Sequence, residues 1–350
     1  MRDVLDDIER WRSEGKRVAL ATVVATWGSA PRAVGGKMAV AEGRRIAGSV
    51  SGGCVENAVA EAAAEVLKTG KVRLLKFGVS DDTAWSVGLA CGGAIEVFVE
   101  PLGDATHGLV RDALRAERSV AVATVIDGTA EAVGRKLAIS ADGRAVGDLG
   151  DPIDRETRAA LADGRSRRVT LGEEEIFIDV LLPSPRLVVV GGVHIAVALV
   201  QLAKALGWRT VLLDPREAFG NRSRFPDVDE IVSEWPDAAL ARLALNENTA
   251  VAVLTHDPKL DDPAVSAALA SAAFYVGALG SSRTQEKRRK RLLATGVSEE
   301  SLARLHAPIG LDLGGRGPEE IALSVMAQIV AARHGKAPVP AASPASVASA

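Results

Sequence analysis

Two cysteines draw attention through their neighbours. Cys54 follows Ser51-Gly52-Gly53, and Cys91 lies between Gly88 and Gly92-Gly93. Glycine leaves the backbone bare, so a bulky ligand can approach either sulfur. Val55, Val59, Ala62, Ala63 and Val66 recur at helical spacing and stop at Gly70, which puts Cys54 at or near a helix N-terminus, where amide dipoles favour a thiolate. Two thiols in glycine turns suit a soft metal or a sulfur-bearing ligand better than zinc, which would need four ligands at tighter spacing. Inert buried cysteines are the plain alternative.

A second set of chemical residues lies in the other half of the chain. Gly191-Gly192-Val193-His194-Ile195-Ala196 follows an apolar strand, where a dinucleotide-binding turn would read Gly-x-Gly-x-x-Gly. The first glycine is in place, Val193 holds the middle position, and Ala196 is a tolerated third. Asp214 comes 23 residues after Gly191, near where a ribose-binding carboxylate belongs. His194 suits capping or packing as well as binding. Gly277-Ala278-Leu279-Gly280-Ser281-Ser282-Arg283 also follows a strand and opens a helix, so the backbone at Gly280 and Ser281, with Arg283, could meet a phosphate; a serine cap before a solvated basic helix, Lys287 to Arg291, reads equally well. Thr255-His256-Asp257 ends another strand.

The elements that must position these residues are legible from periodicity. Arg2 to Glu14 reads as an amphipathic helix. Strands follow at Val18 to Thr26, Gly36 to Val40, Ile46 to Val50, Val72 to Phe77 and Ile95 to Val99. Val120 to Ile126 then resembles Leu20 to Val24, Gly134-Arg135-Lys136-Leu137-Ala138-Ile139 resembles Gly35-Gly36-Lys37-Met38-Ala39-Val40, and Ile176 to Val180 matches the stretch around Val97. An internal duplication within residues 1–183 is expected, with both cysteines in the first copy. Pro183-Ser184-Pro185 reads as the linker. Beyond it, Leu187 to Val190, Ile195 to Leu206 and Thr210 to Leu213 form a βαβ unit, continued by Ala250 to Leu254, a helix from Pro263 to Ala273, Phe274 to Val276, a helix from Thr284 to Ala294 and a last helix after Pro318. The fold class expected is α/β: an α+β domain over 1–183, a Rossmann-like parallel-sheet domain over 184–335, and a disordered Pro/Ala/Ser-rich tail over 336–350.

Composition narrows the partners. The 350 residues carry 42 Lys+Arg against 45 Asp+Glu, a formal charge of −3, which argues against a nucleic-acid partner. The uncharged run Leu187 to Ala203 is short for a membrane span and is broken by Gly191-Gly192. Two cysteines make no disulfide framework and no signal segment opens the chain, so a cytoplasmic location is expected. Three readings follow from the residues: a soft-metal or cofactor carrier, an NAD(P)-dependent oxidoreductase built on the second domain, and a thiol redox protein using Cys54 and Cys91.

The combination of Gly28-Ser29-Ala30-Pro31-Arg32, Gly36-Lys37-Met38, Gly48-Ser49-Val50-Ser51-Gly52-Gly53-Cys54-Val55-Glu56 and Gly88-Leu89-Ala90-Cys91-Gly92-Gly93, with Gly277 to Thr284 and His306-Ala307-Pro308-Ile309-Gly310-Leu311-Asp312, resembles the XdhC/CoxI family of xanthine dehydrogenase accessory factors. The resemblance implies a chaperone rather than a catalyst. Such a chaperone binds molybdenum cofactor (molybdopterin), shields it while a cysteine desulfurase supplies the sulfido ligand, and inserts it into a xanthine dehydrogenase-type molybdenum hydroxylase. For such a cofactor the glycine-framed placement of Cys54 and Cys91 suggests them as metal ligands, with Ser51, Gly52, Gly53, Arg32, Lys37, Gly92 and Gly93 around it. A homodimer would suit a client class that is often dimeric. In the second domain Gly191, Gly192, His194 and Asp214, with Gly280, Ser281 and Arg283, would hold NAD(P) or another nucleotide, although family members often carry the fuller pattern Gly-Ala-Gly-His-Val-Gly.

Overall fold

The computed structural model describes residues 1–29, 32–78 and 93–336, so the expected tail lies outside the described residues apart from Lys336. The chain divides into two units, Met1–Pro183 and Ser184–Ala350. Among the described residues no helix is long and apolar enough to cross a membrane.

The first unit runs α1 (Arg2–Ser13), β1 (Val18–Trp27), β2 (Lys37–Ala41), β3 (Arg45–Gly48), α2 (Glu56–Thr69), β4 (Arg73–Phe77) and β5 (Ala94–Pro101). It then repeats the succession as α3 (Asp104–Arg115), β6 (Val120–Asp127), β7 (Lys136–Ser140), β8 (Ala145–Gly147), α4 (Asp151–Asp163), β9 (Arg167–Leu171) and β10 (Glu174–Leu181). Each copy makes one antiparallel five-stranded sheet, in the orders β3-β2-β1-β5-β4 and β8-β7-β6-β10-β9. Equivalent glycines mark equivalent kinks. Gly48 and Gly147 have φ of 73° and 88°, and a Cβ on either would strike the carbonyl of Lys37 or Lys136. The internal duplication is therefore a property of the fold.

Strand periodicity of two explains the layering. Ala19, Ala21 and Val23 of β1 face Val59, Ala63 and Val66 of α2, while Val24 faces the other way and meets Phe98, Ile126 and Phe177 in a core shared by both sheets. Ala121, Ala123 and Val125 of β6 pack with Ile153 and Ala160 of α4. Each copy thus covers one face of its sheet with its second helix, while on the other face the two sheets meet beside α1, which packs on β1 and β2, and α3, which packs on β6 and β7. This shared layer also holds charges. The Lys37 ammonium donates to Asp179 at 2.5 Å and to Thr22 Oγ1 at 3.1 Å, and Lys136 donates to Glu100 at 2.6 Å and to Thr124 Oγ1 at 3.0 Å. Each lysine of one copy thereby holds a carboxylate of the other.

The second unit runs β11 (Arg186–Val190), α5 (His194–Ala205), β12 (Arg209–Leu213), β13 (Glu230–Val232), α6 (Pro236–Arg242), β14 (Thr249–Val253), α7 (Pro258–Leu269), β15 (Tyr275–Ala278), α8 (Ser282–Ala294), α9 (Glu299–Ala303), β16 (Leu305–His306) and α10 (Pro318–Arg333). Its strands form one parallel sheet in the order β13-β12-β11-β14-β15-β16, with apolar clusters on both faces. Helix α7 begins at Pro258 rather than Pro263, because the Asp257 carboxylate caps it by accepting the Lys259 N–H at 3.0 Å. Arg288 does not share the solvated basic face expected of its helix. It is 1% exposed, and its guanidinium donates to Asp261 at 2.6 Å and to the Leu279 carbonyl at 3.2 Å.

Removing one partner of a buried ion pair strands the other, at a cost of about 3–5 kcal/mol, whereas replacing both by apolar groups is often neutral. Denaturant unfolding of Lys37→Met should show such a loss, and Lys37→Met/Asp179→Leu should recover most of it. Equal losses in both variants would contradict the pairing.

Candidate functional site

Three connections leave one end of the first sheet: residues 28–36 between β1 and β2, 49–55 after β3, and 78–93 between β4 and β5. They carry the motifs singled out in the sequence. The second copy has counterparts at 148–150 and 172–173 that are much shorter, so the two connections bearing Cys54 and Cys91 are where the copies differ most. Cys91 and Gly92 lie outside the described residues. Gly93, which follows them, sits against the backbone of Trp27 and Ser29: a Cβ on it would come within 2.7 Å of the Ser29 carbonyl oxygen.

The loop before α2 is organised by one side chain. The Glu56 carboxylate, at the first position of α2, accepts from the hydroxyls of Ser49 and Ser51, each at 2.5 Å. It also accepts from the backbone N–H of Val50 at 3.2 Å, Ser51 at 2.9 Å, Gly52 at 3.1 Å, Gly53 at 2.8 Å and Val55 at 3.2 Å. The Ser51 hydroxyl in turn accepts the Val55 N–H at 3.0 Å. Gly52 and Gly53 adopt φ of 81° and 125°, a turn that brings these amides onto one acceptor. Desolvation would raise the Glu56 pKa. The two serine hydroxyls and the backbone amides outweigh it and hold the carboxyl at about 2. Val50 and Val55 are buried on either side, while Cys54 is exposed with its thiol free.

This geometry revises what the flanking residues can do. The amides of Gly52 and Gly53 and the hydroxyl of Ser51 are committed to Glu56, so an incoming anion would have to displace that carboxylate. Lys37 is 5% exposed and bound to Asp179, which removes its charge from the surface. Its backbone carbonyl still tethers the loop, accepting the Ser49 N–H at 3.0 Å. Arg32 Nε donates to the Ser49 carbonyl at 3.0 Å, and its other end reaches Asp3 at 3.0 Å. Glu56 closes the Cys54 motif, yet sequence reasoning gave it no role. An acid in a first helical turn beside a Ser- and Gly-rich loop is the signal that could have found it.

In the second unit the register brings Gly191-Gly192, Asp214, Thr255-His256 and Gly280-Ser281 to the carboxyl edge of the sheet, at the β11/β14 point where strand order reverses. His194 is exposed at the start of α5. Ser281 caps α8, its hydroxyl accepting the Thr284 N–H at 3.3 Å, and Arg283 is exposed beside it. Among the described residues no group of three His, Cys, Asp or Glu side chains could hold a metal ion.

The pH dependence of stability reports on Glu56. A carboxyl near 2 in the folded chain and near 4.5 when free stabilises the fold above about pH 4.5, and that contribution is lost as pH falls toward 2. Glu56→Gln should therefore unfold below the wild-type Tm at pH 7, by about 1–2 kcal/mol of stability, with the gap closing between these limits. A gap independent of pH would contradict the ionised hub.

A model of the XdhC and CoxI family matches residues 11–78, and a model of the XdhC Rossmann domain matches residues 187–329. A Bacillus subtilis (strain 168) protein, named as a probable xanthine dehydrogenase subunit, is 30% identical over 91% of this chain and 94% of that protein. The Escherichia coli (strain K12) protein named molybdenum cofactor insertion chaperone PaoD is 30% identical, over 91% of this chain and 84% of that protein. A crystal structure from Bacillus halodurans, described as a xanthine dehydrogenase, superposes with a TM-score of 0.78 at 27% identity and covers 97% of this chain and 98% of its own. The chain belongs to the XdhC and CoxI family.

Proposed function

We propose that this protein is a molybdenum-cofactor insertion chaperone: it takes up the cofactor, shields it while a cysteine desulfurase supplies the sulfido ligand, and hands it to a xanthine dehydrogenase-type hydroxylase. The observation that carries this reading is the Cys54 thiol, exposed at the sheet end on a loop whose shape Glu56 holds. The names of the Escherichia coli and Bacillus subtilis relatives support the assignment. Cys54, with Cys91, would supply the soft donors that molybdenum favours. Of the cationic groups expected around the cofactor's phosphate, Arg32 is the one placed to exchange a partner. Its side chain is 39% exposed and its ion-pair partner Asp3 is 46% exposed.

The space between the two sheets of the first unit measures about 60 Å³, smaller than the roughly 150 Å³ of a cavity known to hold benzene. On this reading the cofactor sits at the sheet end beside Cys54, and shielding comes from the loops there together with the recipient enzyme.

The test is anaerobic co-purification from a host that makes molybdenum cofactor. Bound molybdenum and pterin fluorescence should approach one equivalent in the wild type and fall roughly tenfold or more in Cys54→Ser, with unfolding unchanged. Equal retention by the variant would contradict the assignment of the thiol. Absence of pterin from a folded wild-type chain would contradict the function.

A further inference from the structure

A parallel sheet with a glycine turn after its first strand and an acidic residue after its second implies a dinucleotide at the carboxyl edge, with the turn approaching the pyrophosphate and the carboxylate accepting from a ribose. The second unit has both features in place. Its own chain has already used them.

Asp214 is fully buried. Its Oδ1 accepts from the backbone N–H and the Nε of Arg216, each at 2.9 Å, and its Oδ2 accepts from the Gly192 N–H and the far end of the Arg216 guanidinium, each at 2.8 Å. A carboxylate offers about four acceptor positions, and all are taken, so ribose hydroxyls find no acceptor there. The turn is covered as well. A Cβ on Gly192 would collide with the Phe219 carbonyl, and Gly220 rests on Asp214. Arg224 locks this arrangement by donating to the carbonyls of Gly192 at 2.6 Å and Phe219 at 2.9 Å. The Arg216 guanidinium also lies 4.2 Å from the centre of the Phe219 ring. Gly191 abuts Thr255 across the switch point, and Val193 puts a branched side chain where the middle glycine would admit phosphate.

We infer that the second unit is a dinucleotide fold closed by its own chain, with Arg216 occupying the ribose position at Asp214 and the segment from Phe219 to Arg224 lying over the glycine turn. Arg216 does not instead mark a site for a 2′-phosphate, because its fork is spent bidentately on Asp214, whose charge would repel that phosphate. The inference rests on the second unit alone and stands whether or not Cys54 holds a cofactor.

The full-length protein should show no saturable binding of NADH or NADPH up to about 1 mM in equilibrium dialysis. Val193→Gly/Arg216→Ala/Arg224→Ala, folded by circular dichroism, should bind NADH at least roughly tenfold below that limit. Saturable binding by the wild type, or a folded variant that still refuses NADH, would overturn the inference. Should the variant fail to fold, amide hydrogen exchange of the wild type decides the matter. The Gly192 amide should exchange slowly and identically with and without about 1 mM NADH, and a nucleotide-dependent change there would overturn the closure.

Discussion

Lys37 is the point at which the two copies of the first unit and the thiol-bearing loop meet. Its ammonium reaches across the shared core to Asp179, its carbonyl receives the Ser49 amide, and Gly48 must be a glycine because it passes directly over that carbonyl. The mirrored arrangement at Lys136, Glu100 and Gly147 does the same for the second copy. Stability of the sandwich comes mainly from elsewhere. Val24, Phe98, Ile126 and Phe177 are each nearly fully buried and contribute about 1.5–3 kcal/mol apiece, whereas a buried ion pair roughly breaks even against desolvation. The apolar set drives the two sheets together. The paired lysines join the two copies across that layer.

With that frame held, the copies differ at one end. The first sheet carries long connections where the second carries short ones, and the longer pair bear the cysteines. In the Cys54 loop the amides that a glycine-rich helix entry would offer to an anion are gathered instead by Glu56. That carboxylate meets the positive end of α2 and leaves the sulfur as the loop's outward chemistry. The second unit repeats the theme with different residues. There too a carboxylate, Asp214, is satisfied from within, by Gly192 and Arg216. Both units thus retain the outline of an anion-binding edge whose donors or acceptors are met by the chain itself.

Much of this was legible in the sequence because short apolar, β-branched strands, glycine punctuation and the Pro183-Ser184-Pro185 linker are local signals. The duplication showed through Lys37 and Lys136, each opening a strand, the first after Gly35-Gly36 and the second after Gly134-Arg135. What stayed hidden depends on contacts between distant or unusually placed residues. Nothing in a basic helix distinguishes Arg288 from its neighbours until Asp261, on another helix, is seen beside it. Asp214 looked available because its competitor, only two residues on, needed a particular turn to fold back onto it. Gly52 and Gly53 read as donors for a ligand because amides carry no mark of the acceptor they have found. Pro263 looked like a helix start, yet the cap at Asp257 outweighed it.

The claim on which the functional account rests is that the chain's own sulfur meets the cofactor's metal. Molybdenum K-edge absorption on the anaerobically loaded full-length protein tests it directly. The account predicts a sulfur neighbour beyond those of the cofactor's dithiolene, present in the wild type and absent when Cys54→Ser protein is loaded to the same metal content. Identical spectra from the two proteins would contradict it.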